Sequence, residues 1–339
     1  MIQNVKNKEG KRGRPLFYSS ALYVSVKSGL PLFLWVMRIV LVGQGPFGEK
    51  VLEKLIRKGE DVVGIFSPPD KRGEAMKALA EKSGIPSFRP NLMKNPQVHD
   101  AYVKLQPELV ILAFVTDIIP AKLLAVPSRG TICYHPSILP RHRGASAINW
   151  AIIQGDTRTG LSIFWVDKGI DTGPTLLQKE IGIGPDDTTG SLYFNTLFPM
   201  GVDAIVEAVE LIEEGKAPQI PQDESKATYE PPCDDRVAFV DFGKSAKDIY
   251  NLIRGCDPQP GAYTSHKGKR IRFYDARMFS STIEKQPGEI VSIEERALQI
   301  AVKGGVIEVA KLKVEKGEKI GPVEFARLAG TKVGDRFGG

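Results

Sequence analysis

The 339-residue chain holds only three cysteines, Cys133, Cys233 and Cys256. None stands in C-x-x-C spacing, so neither a zinc site nor a disulfide framework is suggested and no metal is expected. So few thiols fit a reducing compartment, with the cytoplasm as the expectation. No run of 18 apolar residues occurs, so no membrane span is expected. Internal repeats and low-complexity tracts are also lacking. The main body lacks an excess of basic charge. The net charge is +6, yet residues 37–233 carry 21 basic and 24 acidic side chains. Residues 1–36 carry six basic and one acidic, and residues 234–339 carry 19 and 15. The central segment is therefore a poor electrostatic footprint for nucleic acid, and only the last third is mildly basic.

What is present is the composition of a globular protein, 42% hydrophobic and 25% charged, with length for two domains. Residues 1–36 read as a basic extension, disordered or upstream of the native start, because Met37 directly precedes the first strand. A secretory signal lacks a clear small-residue cleavage site, and an organelle transit peptide is the other reading. Apolar β-branched runs at 38–43, 61–66, 109–114, 130–134 and 160–166 predict strands. Helical patterns follow at 51–56, 74–82, 145–154 and 192–214, the last with Asp186, Asp187, Thr188 and Thr189 available to cap it. Strands alternating with helices predict a doubly wound, Rossmann-like, mostly parallel α/β sheet over 37–215. Four prolines mark 216–233 as a linker. A helix at 246–254 and short strands near 270–274, 289–293, 298–302 and 306–312 predict a smaller OB-like β-barrel domain over 234–339.

Gly43-Gln44-Gly45-Pro46-Phe47-Gly48, after a strand and before a helix, has the form of a dinucleotide fingerprint. The acid expected at the end of the second strand is missing: Ser67, Pro68 and Pro69 stand there and Asp70 lies beyond. The glycines then serve a tight turn and close helix–strand packing. An NAD-dependent oxidoreductase is the generic alternative. His135 ends the strand at 130–134, where open α/β sheets bind ligands. The loop after it, Pro136 to Gly144, is dense in polar groups and turn formers, as site loops are. Asp171 lies in Gly169-Ile170-Asp171-Thr172-Gly173-Pro174. It reads either as a turn aspartate bonding its own backbone or as a carboxylate that orients and charges His135. Cys133 shares a strand face with His135. It could be a nucleophile, but a small buried apolar residue is the commoner role.

The run His135-Pro136-Ser137-Ile138-Leu139-Pro140-Arg141-His142-Arg143-Gly144-Ala145-Ser146-Ala147-Ile148-Asn149-Trp150, with Gly155-Asp156 and Asp171 to Pro174, closely resembles the folate-dependent formyltransferases. That family includes methionyl-tRNA formyltransferase and the amino-terminal hydrolase portion of 10-formyltetrahydrofolate dehydrogenase, and the wording is most similar to the latter. The resemblance runs from about Met37 to the end, through Ile253-Arg254-Gly255 and Pro260-Gly261-Ala262. It implies a catalytic domain at 37–215 and a formyltransferase-type C-terminal domain at 234–339. It implies 10-formyltetrahydrofolate as donor substrate, no tightly bound cofactor, and His135 and Asp171 as catalytic. It places the folate near Asp117, Ile118 and Ile119, near Ser137, Ile138, Leu139 and Pro140, and near Val166 and Asp167 on the approach to Asp171. It also implies that the glycine turn does not bind NAD.

One departure bears on the acceptor. The transferases carry an asparagine where this chain has Cys133, so the resemblance makes Cys133 the acceptor-determining position. Water is the expected acceptor; transfer to methionyl-tRNA or another amine is the alternative. The tRNA-acting enzymes also carry a longer basic loop after the second strand, where this chain has only Ser67 to Gly73. A folate-binding protein without turnover is a third reading, disfavoured by the retained His135 and Asp171.

Overall fold

A computed structural model describes residues 21–24, 32–88, 96–115, 120–281 and 284–338. The chain divides into two compact units, residues 1–131 and 132–339. Most of the expected extension at 1–36 lies outside the described residues. Within it, β1 (Ala21–Val24) and β2 (Leu32–Trp35) pair antiparallel.

The rest of the first unit alternates strand and helix: β3 (Arg38–Gly43), α1 (Gly45–Lys58), β4 (Asp61–Phe66), α2 (Lys71–Lys82), β5 (Ser87–Phe88), α3 (Pro96–Lys104), β6 (Leu109–Ala113) and α4 (Ala121–Leu124). The strand order is β5-β4-β3-β6, every pair parallel. Strands buried on both faces must be apolar throughout rather than alternating. Ile39 to Gly43 and all of β6 are accordingly buried. A Cβ on Gly43 would lie 3.0 Å from the Ala113 carbonyl oxygen and 3.2 Å from the Gly48 Cα. The glycine turn is thus accounted for by close approach of β3, β6 and α1. Asp70, beyond the place of the missing fingerprint acid, caps α2 by accepting from the Arg72 N–H. The Arg72 guanidinium also holds this carboxyl below its usual range.

The second unit opens in β7 (Thr131–His135) and continues through α5 (Ala147–Ile153), β8 (Arg158–Trp165), β9 (Thr175–Gly182), α6 (Thr189–Leu192) and α7 (Phe198–Glu213). β8 pairs antiparallel with both β7 and β9. Thr188 caps α6 with a reciprocal bond pair: its hydroxyl accepts from the Ser191 N–H and Ser191 Oγ accepts from its own. The expected helix at 192–214 starts earlier and carries a π-turn at Tyr193–Leu197. Pro199 has no N–H to donate one turn back, which fits the widened ladder just before it.

The C-terminal part is an antiparallel sheet, as the short strands predict: β10 (Ala262–His266), β11 (Lys269–Ser280), β12 (Ile290–Ile293), β13 (Leu298–Val302), β14 (Gly305–Val314) and β15 (Lys319–Ile320). The order is β10-β11-β14-β13-β12, with β15 on β14. Its core packs Ile271, Phe273, Ile300, Val309 and Leu312 with Ile249 and Ile253 of α8 (Ala246–Gly255) and with Phe325 of α9 (Pro322–Ala329). α8 is tied to α5 and α6 through one carbonyl: Asn149 Nδ2 and Thr189 Oγ1 both donate to the Gly255 oxygen at 2.7 Å. Cys233 and Cys256 are free thiols with sulfurs 3.7 Å apart. Phe273 is fully buried. Phe273→Ala is expected to destabilise this unit by about 3–5 kcal/mol through lost burial and the cavity left behind, read as a lower urea midpoint.

Candidate active site

β7 delivers His135 to its carboxyl end, with Cys133 on the same face. Antiparallel pairing sets His135 opposite Ser162 and Cys133 opposite Phe164 on β8. The polar residues of β7 and β8 then organise the loop after His135. Ser162 Oγ donates to the Ser137 carbonyl at 2.7 Å and accepts from the Leu139 N–H at 3.1 Å. Gln178 of β9 donates to the Leu139 carbonyl at 2.9 Å, and Ser137 Oγ donates to the Arg141 carbonyl at 2.6 Å. The Leu139–Pro140 peptide is cis.

The loop brings the His142 carbonyl to 2.8 Å from His135 Nε2. A carbonyl only accepts, so Nε2–H donates there and the Nδ1 edge is turned the other way. Asp171 stands on that edge, its Oδ2 3.4 Å from Nδ1, and His135 is nearly enclosed. The same oxygen accepts the Gly144 N–H at 2.7 Å. This carboxylate therefore bonds across to the histidine loop. The local turn role falls to Asp167, whose Oδ1 accepts from the Gly169 N–H and from Thr172 Oγ1. Cys133 Sγ points to its neighbour's carbonyl at 3.5 Å. Burial, then the Asp171 charge, pushes its thiol up. A thiol so held is a poor nucleophile, which favours the packing role.

Of the residues expected around a folate, Ser137 and Leu139 are buried and locked into the loop. Ile138, Pro140 and Val166 are half-buried, and Asp167 is exposed. Asp117, Ile118 and Ile119 lie outside the described residues. Among the described residues no cluster of His, Cys, Asp and Glu could hold a metal, and no helix is long and apolar enough to cross a membrane.

Several residues of the site do not stand out in the sequence. Arg143 is fully buried, its guanidinium bonded to Gln222 Oε1, to both oxygens of Glu224 and to Tyr229 OH. Glu224 holds it above the usual guanidinium range. Gln222 Nε2 donates to the Asp171 and Gly173 carbonyls. The His142 ring sits between Asp156 Oδ2 at 2.9 Å and Glu230 Oε1 at 3.3 Å. The segment expected to be only a linker supplies Gln222, Glu224, Tyr229 and Glu230. Their signal was the charged and polar cluster between its prolines.

The family model for formyl transferase matches residues 37–209, and that for the formyl transferase C-terminal domain matches 234–330. The chain belongs to the formyl transferase family. It is 40% identical over 314 residues to mitochondrial 10-formyltetrahydrofolate dehydrogenase of Homo sapiens, covering 88% of this chain and 34% of that protein. It thus spans about a third of the length of the dehydrogenases it matches. It is 35% identical to methionyl-tRNA formyltransferase of Geotalea daltonii, covering 88% of this chain and 96% of that one. HypX from Aquifex aeolicus, solved with tetrahydrofolic acid, shares the fold at a TM-score of 0.67 and 20% identity, over 88% of this chain and 48% of its own. An N-formyltransferase from Helicobacter canadensis, solved with folinic acid and dTDP-3-aminofucose, does so at 0.63 and 17%, over 81% and 99%.

The hydrogen bond shared with Cys256 lowers the Cys233 thiol, whereas burial raises that of Cys133. At mildly alkaline pH Cys233 is expected to react with iodoacetamide before Cys133, read by peptide mass spectrometry. Faster labelling of Cys133 would contradict the packing role.

Proposed function

We propose that the chain is an enzyme that removes the formyl group of 10-formyltetrahydrofolate and passes it to water. Cys133 carries this reading: the side chain that shares His135's strand face is a protonated thiol rather than an amide. An amide N–H can polarise a formyl oxygen and hold the oxyanion that forms there, and a thiol is a weak donor. Loss of one such donor typically costs about 10²–10³ in rate. That disfavours delivery to a demanding amine acceptor and leaves water. The family membership and the dehydrogenase relatives support the donor.

With Nε2–H committed to the His142 carbonyl, Nδ1 is the proton-accepting edge of His135. As the oxygen of water bonds to the formyl carbon, the imidazole takes the proton that water loses. Asp171, beside Nδ1, stabilises the positive charge that results. The tetrahedral intermediate then collapses. The carbon–N10 bond breaks, the imidazole returns its proton to N10, and tetrahydrofolate leaves with formic acid, which gives its proton to solvent and becomes formate. Backbone N–H groups supply oxyanion stabilisation in place of a side-chain amide.

His135→Ala and Asp171→Ala are each expected to abolish formate release from 10-formyltetrahydrofolate; near wild-type release in either sinks the assignment. A second reading, transfer to methionyl-tRNA or another amine, is favoured by the methionyl-tRNA formyltransferase relative matched over almost its whole length. Cys133→Asn is expected to raise formylation of added amines at the expense of formate. An unchanged ratio removes Cys133 from acceptor choice, and wild-type formylation of methionyl-tRNA in preference to formate release favours the second reading.

A further inference from the structure

Asp171 adopts φ +55°, a left-handed backbone that a residue with a side chain enters only at a cost. That conformation is what lets one carboxylate oxygen meet both the Gly144 N–H and the His135 ring. Something must hold it. Gln222 Nε2 donates to the carbonyl of Asp171 at 2.8 Å and to that of Gly173 at 2.7 Å, gripping the turn on both sides. The amide cannot be reversed. Its Oε1 accepts from Arg143 Nη2 at 2.8 Å and from Arg143 Nε at 3.1 Å. A flipped amide would set its oxygen against two carbonyls and its NH₂ against a guanidinium, which has no acceptor. Arg143 is itself fixed by Glu224 and Tyr229, and its backbone N–H donates to the Thr228 carbonyl at 3.0 Å.

We infer that Gln222 is a positioning residue of the active site: its amide, oriented by buried Arg143, fixes the Asp171 turn and so aims the carboxylate at His135. This rests on the formyl chemistry proposed above. Gln222 touches no reacting atom and acts only through Asp171. A displacement of about 1 Å at a catalytic group can cost about 10²-fold in rate.

Gln222→Glu tests this with little change of shape. It keeps acceptors for Arg143 but removes both N–H donors and sets a carboxylate against two carbonyls. Gln222→Met, similar in volume and without donors, serves if the first variant does not fold. Lys226→Ala, on the exposed face of the same segment, controls for general loosening. Formate release from 10-formyltetrahydrofolate and the ¹³C-labelled ring signal of His135 are both measured. In the Gln222 variants kcat is expected to fall about 10–100-fold, with KM little changed, and the His135 signal to shift. Lys226→Ala should match the wild type in both. A folded Gln222 variant with wild-type kcat and an unmoved His135 signal overturns the inference, as does an equal loss in Lys226→Ala. The ring signal needs no turnover. An inactive wild type whose His135 signal still responds to Gln222 defeats the proposed function and leaves the positioning role standing.

Discussion

One carboxylate oxygen joins the two loops of this site. Asp171 Oδ2 takes the Gly144 N–H at 2.7 Å and faces His135 Nδ1 at 3.4 Å. The shorter contact ties the loop after β7 to the loop between β8 and β9, and the longer one is available for chemistry. A carboxylate anchored by a backbone N–H keeps its position whatever the charge on the imidazole. In the reaction proposed above that matters, because a carboxylate that had to reorganise around a transient cation would lose part of the stabilisation.

The framework was legible where physics acts locally. Buried parallel strands must be apolar, so 38–43, 61–66 and 109–114 stand out as runs. Short, closely spaced strands after one helix mark the C-terminal part. β9 was not legible. Its burial alternates and Gln178, Lys179 and Glu180 interrupt it, because it lies at one end of the sheet order and keeps one face exposed. The histidine and aspartate could be paired as candidates because each sits in a turn-rich loop beside a strand. The roles of Asp167 and Asp171 could not be told apart that way. Both are turn aspartates in the sequence, and only tertiary contact shows which bonds locally and which reaches 27 residues back to Gly144.

The least legible part was 216–233. Prolines and charge made it a connection, and a connection has no obvious reason to enter a site. Its charge is the reason. Arg143 is buried, and a buried guanidinium requires acceptors for its fork of donors. β7, β8 and the loop between them supply none of those it uses; Gln222, Glu224 and Tyr229 do. The chain beyond α7 must therefore return across the histidine loop before it reaches the C-terminal sheet.

Both backbones that present the dyad are left-handed: His142, whose carbonyl receives His135 Nε2, has φ +55°, and so does Asp171. Neither conformation is favourable on its own, and each is surrounded by contacts from elsewhere. His142 is held by the Thr228 hydroxyl on its N–H and by Asp156 and Glu230 around its ring. Asp171 is held by Gln222 and Gly144. Strain of this kind persists only where neighbours over-determine it. Here Gln222, Thr228 and Glu230 all come from the returning segment. That segment, together with Ser162 and Gln178 on the strands, holds the imidazole and the carboxylate facing each other. A change at Gln222 or Thr228 should therefore act on the geometry of His135 and Asp171 before it acts on the fold.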